Sequence, residues 1–191
     1  MSNSIQLPDI KNITVSARIG SGGTTLAKKL SGILGWEMLD GGKLFRALTK
    51  DHGYAKNRSD QFDLDYEENI KKILREKSHQ IIQSNLAGFD AQNIERVFKI
   101  LVVCEDERGN DKTDIRIDRL SNRDKTSIED AKYEAIERER QNLEKWRKLY
   151  ASNDQTWVYW DKKYYDLVIN TYSHNQEETL KLALQSIGID K

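Results

Sequence analysis

The sequence predicts an α/β fold: a five-stranded parallel sheet between helices on both faces, with a helical flap over about residues 105–161. Three observations predict it. Short apolar or β-branched runs alternate with longer stretches whose apolar residues recur at helical spacing, the pattern of βαβ units. Val97 to Cys104 is almost continuously apolar, as a strand covered on both faces must be. Near the start, Ile13-Thr14-Val15 runs into a turn of small residues and then into Leu26-Ala27-Lys28-Lys29-Leu30, which reads as strand, turn and helix.

Taken in order, residues 1–10 read as a tail holding the chain's one proline, Pro8. Lys11 to Ser16 is the first strand. A helix follows from Thr24 to Leu34, with Leu26, Leu30, Ile33 and Leu34 on one stripe and Gly35 as its stop. Trp36 to Leu39 is the second strand, and a helix carrying Leu44, Phe45, Ala47 and Leu48 comes next. Residues 51–62 are polar and loop-like. A helix spans about Asp63 to Lys77, His79 to Gln83 is a third strand and Val97 to Cys104 the fourth. Two helical stretches, Thr113 to Arg123 and Ile128 to Tyr150, form the flap, the second opened by Ser127 and Asp130 at capping-box spacing. Asp166 to Asn170 is the last strand and Asn175 to Ile187 the closing helix. No internal repeat or second domain boundary interrupts the 191 residues, so a single domain is expected.

Composition removes several function classes. The 31 basic and 31 acidic residues cancel, which argues against a nucleic-acid-coating or membrane-surface protein. The single cysteine, Cys104, leaves no intramolecular disulfide and no cysteine zinc site, and His52, His79 and His174 show no metal-ligand spacing. No apolar run reaches the length of a membrane span and no signal peptide is visible, so the expected location is the cytoplasm. Trp146, Trp157 and Trp160 with Tyr159, Tyr164 and Tyr165 read as packing of the flap on the sheet.

The chemistry concentrates in the turn. Gly20, Ser21, Gly22, Gly23, Thr24 and Thr25 stand between a strand and a helix, where backbone N–H groups at the helix start can cradle phosphate. The pattern is close to the nucleotide-binding P-loop, with Thr24 at the position that places a hydroxyl on magnesium. An ordinary tight turn is the alternative. Asp40 reads as a helix N-cap and Arg46 as a solvated arginine on an amphipathic helix. Arg116, Arg119 and Arg123 fall at i, i+3 and i+7, either as phosphate-binding groups on one helix face or as a solvated face paired with Asp114 and Asp118.

Three stretches together resemble the cytidylate kinases. Leu39-Asp40-Gly41-Gly42-Lys43-Leu44-Phe45-Arg46-Ala47-Leu48-Thr49 is similar to that family's D-[ST]-G-x-x-Y-R-A-L-T, with Phe45 in place of tyrosine. Tyr165-Asp166-Leu167-Val168-Ile169-Asn170-Thr171 is similar to its closing strand, and Arg116 to Asp124 with Arg138-Glu139 resembles its lid. The resemblance implies a P-loop fold and phosphorylation of a nucleoside monophosphate, CMP or dCMP, by ATP with magnesium. Residues 20–25 would then bind the donor phosphates. Asp40, Arg46 and Asn85 would serve the acceptor, and Arg119, Arg123 and Arg138 would close over the transferring group. The implied partners are small nucleotides.

The chain departs from the family at three positions. Gly23 stands where the P-loop has its lysine, Ala17 where it has its first glycine, and Asn85 where the stretch similar to G-R-L-A-G has an arginine. Losing a pre-aimed charge at a transition state costs about 10²–10³ in rate. Two alternatives follow: a nucleotide-binding protein of the same descent with little catalysis, and a kinase for another small acceptor.

Overall fold

The structure, a computed structural model, describes residues 4–49 and 58–189, the side chains of residues 46, 48 and 49 excepted. The polar stretch read as a loop at 51–62 therefore lies mostly outside the described residues.

Strands β1 (Asn12–Ala17), β2 (Glu37–Asp40), β3 (Gln80–Gln83), β4 (Val97–Val103) and β5 (Leu167–Asn170) form one parallel sheet in the order β2-β3-β1-β4-β5. Every residue of β1 is buried, as the central strand of a doubly covered sheet must be. Its register sets Ile13 beside Ile81 and Phe98, and Val15 beside Gln83 and Ile100.

Period-2 alternation sorts the core into two layers. Ile13, Val15, Ile81, Ile100 and Val102 pack against α1 (Gly23–Leu34) and α8 (Gln176–Ser186) through Leu26, Leu30, Leu34, Leu180 and Leu184. Ile82 and Val97 face the other way, toward α3 (Asp60–Glu76) and α4 (Ala87–Asp90), where Tyr66, Ile70, Leu74 and Ala87 meet them. Buried Asn12 ties this layer down: its Nδ2 donates to the Leu74 and Lys77 carbonyls at 2.9 Å each.

The flap comprises α5 (Thr113–Asp124), α6 (Ile128–Lys132), a π-helical segment at Tyr133–Arg138 and α7 (Glu139–Tyr150). The aromatic cluster does pack the flap down, with Trp146, Trp157 and Tyr159 buried around Leu86 and Phe89 against them. Short α2 (Gly41–Thr49) follows β2 directly.

The expected five-stranded sheet and its helices are present, and four local readings are corrected. Residues 5–10 are no free tail: Ile5 donates to the Leu34 carbonyl at 2.9 Å, and Ile5, Leu7 and Ile10 pack on the core. Helix α3 starts three residues early because Ser59 accepts the Phe62 N–H and caps it. Strand β3 starts at Gln80, since His79 has a left-handed φ of 59°. The stretch from 128 to 150 is broken by the π turn, and α4 is a single helical turn that the periodicity did not reveal.

Candidate active site

Neighbouring strands β1 and β3 send the chain to opposite faces, α1 on one side and α4 on the other. The crevice this opens at their C-terminal ends is where open α/β sheets bind ligands. The glycine turn sits there. Gly20 and Gly22 have φ of 85° and 101°, in the left-handed region that glycine fills without strain. Gly22 is the N-cap of α1, so the loop ends on the positive end of a helix dipole, with Thr24 and Thr25 in the first turn. A Cβ on Gly20 would also lie 2.6 Å from the Arg116 carbonyl oxygen. The Ser21 carbonyl accepts from Thr171 Oγ1 at 2.9 Å, which brings the closing-strand stretch onto the loop.

Positions 17 and 23 meet in space. A Cβ on Gly23 would stand 2.6 Å from the Ala17 Cβ, far inside contact distance. The methyl at position 17 thus occupies the space that any side chain at position 23 would need.

Charge lies beside the loop in another form. Arg18 reaches Glu139 Oε1 through Nη2 at 2.5 Å and Asp111 Oδ1 at 3.1 Å. Its guanidinium lies over the Trp160 ring, 4.4 Å from the centroid. Arg116, 1% exposed, donates to the Ile19 carbonyl at 2.6 Å and pairs with Asp111 at 2.9 Å and Glu139 at 3.3 Å. Burial pulls the Arg18 pKa down, but Glu139 and Asp111 outweigh it and leave it raised.

The arginines read as one face disperse. Arg116 is buried under the loop, while Arg119 donates to Thr171 Oγ1 and O at 2.8 Å each. Arg123 pairs with Asp124 at 2.6 Å and is half exposed; that bond, then Asp40 and Glu134 nearby, raise its pKa despite partial burial. Arg138 pairs with Glu134. Asp40 accepts the Lys43 N–H at 2.9 Å, so the capping reading describes its contact. Arg46 belongs to α2, and its side chain lies outside the described residues. Asn85 donates to the Tyr159 hydroxyl at 2.9 Å.

Between α2, α3 and α7 lies a cavity of about 60 Å³. Asn85 and Arg138 line it, brought together from opposite sides. Sequence reasoning missed its other polar residues, among them Arg58, Glu67, Ser84 and Trp146. Arg58 stacks on Phe45 at 4.6 Å and pairs with Asp63 at 2.9 Å. Three buried polar atoms of its lining have no hydrogen-bond partner among the described residues, Ser84 Oγ, Arg138 Nε and Trp146 Nε1, while the Glu67 carboxyl faces Asp90. Buried polar groups are normally satisfied, so these atoms await a partner that fits a space of about 60 Å³, the size of one or two waters or a small polar group. Behind it, burial and then the facing Asp90 push the Glu67 carboxyl well above the usual range, and burial lifts Asp90 to about 6.

For magnesium the donor set is spare. Thr24 Oγ1 donates to Gln83 Oε1 at 3.0 Å, setting two neutral oxygens side by side in the crevice. No cluster of three or more His, Cys, Asp or Glu is present among the described residues. The pair fits an ion that takes most of its ligands from phosphates and water, the usual habit of magnesium. No helix among the described residues is long and apolar enough to cross a membrane.

No family model matches the chain. It is 31% identical to the cytidylate kinase of Methanosarcina mazei over 178 residues, covering 89% of this chain and 92% of that one. It is 30% identical to the cytidylate kinase of Methanosarcina acetivorans with the same coverage. Among solved structures, an uncharacterised protein from Eubacterium ventriosum aligns with a TM-score of 0.61 at 17% identity, over 93% of this chain and 98% of that one. The shikimate kinase of Bacteroides thetaiotaomicron aligns with a TM-score of 0.58 at 12% identity, over 92% and 97%. At these identities the structural likenesses speak for the fold.

Proposed function

The chain belongs to the cytidylate kinase family, and from that premise we propose that it is an ATP-dependent nucleoside monophosphate kinase acting on CMP and dCMP. The observation that carries the reading is the glycine turn at the crevice between β1 and β3, where left-handed Gly20 and Gly22 lead into the N-terminus of α1. Phosphoryl transfer is mostly positioning and charge stabilisation, so it needs two adjoining anion-binding compartments with cations between them. The loop of residues 20–25 and the start of α1 form the donor compartment. The acceptor compartment opens around the cavity between α2, α3 and α7, whose 60 Å³ must widen to admit a nucleoside, with Asn85, Ser84 and Trp146 available to it.

The flap acts as the lid. Arg138 lines the acceptor cavity and keeps an unpartnered Nε, Arg119 is anchored on Thr171 beside the loop, and Arg123 approaches Asp40. Together they place cations around the path between the compartments. Asp40 sets the start of α2, the helix that carries Arg46. Thr24 and Gln83 would hold magnesium, which when bound neutralises donor phosphate charge. The ligands are small molecules, and the neutral overall charge suits neither nucleic acid nor a membrane surface. The site chemistry suits the cytoplasm, where ATP is abundant.

A coupled ADP-release assay across CMP, dCMP, UMP and AMP tests the proposal. Turnover with the cytidine nucleotides above the others is expected; no turnover with any of the four would sink it.

A further inference from the structure

We propose that Arg18 supplies the donor-phosphate charge that the loop lacks at Gly23, and that the donor's terminal phosphoryl group binds it in the seat now taken by the Glu139 carboxylate. The inference rests on reading the loop as the donor site. Arg18 is on the loop itself, between the end of β1 and Gly20, and its side chain is only 18% exposed. Stacking on Trp160 holds the guanidinium flat, so little rotamer freedom is lost when its edge meets an anion.

The seat is built for an oxyanion richer than a carboxylate. Five N–H donors converge on Glu139: Arg18 Nε and Nη2, the Ile19 backbone N–H, and Arg116 Nη1 and Nη2, at 2.5–3.4 Å. A carboxylate offers two oxygens with about four lone-pair sites. Three of the contacts are accordingly long, with Ile19 at 3.4 Å and the Arg116 pair at 3.3 and 3.4 Å. A phosphoryl group brings three oxygens and more negative charge to the same donors.

The exchange also keeps the buried arginines paired. Stripping a partner from a buried charge is strongly destabilising, whereas replacing one anion by another is not. Asp111 stays on both arginines throughout, through Oδ1 to Arg18 and Oδ2 to Arg116. Glu139 can leave because it opens α7 directly after the π turn at Tyr133–Arg138. Such a turn is a local irregularity often tied to function, and its return to α geometry would rotate Glu139 away. Arg116 acts as a positioning residue, holding the Ile19 carbonyl at 2.6 Å.

Calorimetric titration of the full chain with magnesium-ATP, run beside steady-state kinetics, tests this. Arg18→Ala is expected to weaken ATP binding at least about tenfold and to lower kcat by about 10²–10³, with the acceptor KM within about twofold of native. Arg18→Lys should restore part of both. Glu139→Gln removes the competitor's charge and should tighten ATP binding roughly three- to tenfold. If Arg18 is merely structural, the folded variants lose Tm but bind ATP as the native chain does, and that result overturns the proposal. Because affinity is read as heat, a native chain that binds ATP but transfers nothing would contradict the kinase reading without altering the outcome for Arg18.

Discussion

The donor loop and the acceptor cavity solve their electrostatics in opposite ways. Around the loop every arginine is matched: Arg18 and Arg116 share Asp111 and Glu139, and Arg119 is bonded to Thr171. Around the cavity Ser84, Arg138 and Trp146 each keep a buried polar atom without a partner among the described residues. The loop's arginines form a self-compensated network that a ligand must enter by exchange, while its Ser21 Oγ is buried with no partner among the described residues. The cavity is an unsatisfied surface that a ligand completes by addition. Substitutions at the loop should therefore disturb folding and donor binding together, while those at the cavity should separate stability from acceptor affinity.

The largest effect is expected at Gly20. An alanine there meets both a φ of 85° and the Arg116 carbonyl oxygen, 2.6 Å from its Cβ. Gly20→Ala should cost about 3 kcal/mol by denaturant unfolding; a loss under about 0.5 kcal/mol would mean the loop is not tied to α5.

The Ala17–Gly23 pair comes next. Gly23→Lys alone should destabilise the chain by about 2 kcal/mol through the clash with the Ala17 methyl. The double variant Ala17→Gly, Gly23→Lys should recover at least half of that, a non-additivity visible in a double-mutant cycle. Additive losses would show that the two departures are independent.

Behind the cavity the prediction concerns pH. Asp90 faces Glu67, whose carboxyl is also raised, so the buried pair is most stable with both protonated and loses stability as pH rises from the ordinary carboxylate range through about 6. Asp90→Asn should therefore be more stable than the native chain by about 1–2 kcal/mol at pH 8, with the gain fading toward pH 4. A gain independent of pH would assign the effect to packing.

Ser84→Ala sharpens the comparison with the smallest change. It removes one unpartnered hydroxyl, so stability should stay level or rise by up to about 1 kcal/mol. The acceptor KM should rise about three- to tenfold with the ATP KM unchanged. An unchanged acceptor KM would place the nucleoside elsewhere.

The fold was legible because burial on both faces writes itself into sequence: β4 is apolar but for Lys99, β1 alternates Ile13 and Val15 with small polar residues, and α1 carries its stripe every third or fourth residue. What was lost lay at the joints. Ser59 caps α3 from within a polar run that otherwise reads as loop, and the π turn has no periodicity of its own. Of the site, the glycine turn announced itself through residue type. The Arg18–Glu139 pair spans 121 positions and joins two charged residues that look like surface in isolation. Glu67 is likewise one acid on an amphipathic helix, and only packing shows it to be buried at a cavity wall. The space conflict between Ala17 and Gly23 was invisible as well, since sequence shows two substitutions but not that they touch.

The central claim is that a loop without its lysine still delivers a phosphoryl group to the neighbouring cavity. Incubating the native chain with ATP labelled in the γ-phosphoryl group, magnesium and CMP tests it most directly. The account predicts labelled CDP formed in step with ADP. Bound ATP with no label reaching CDP would contradict it.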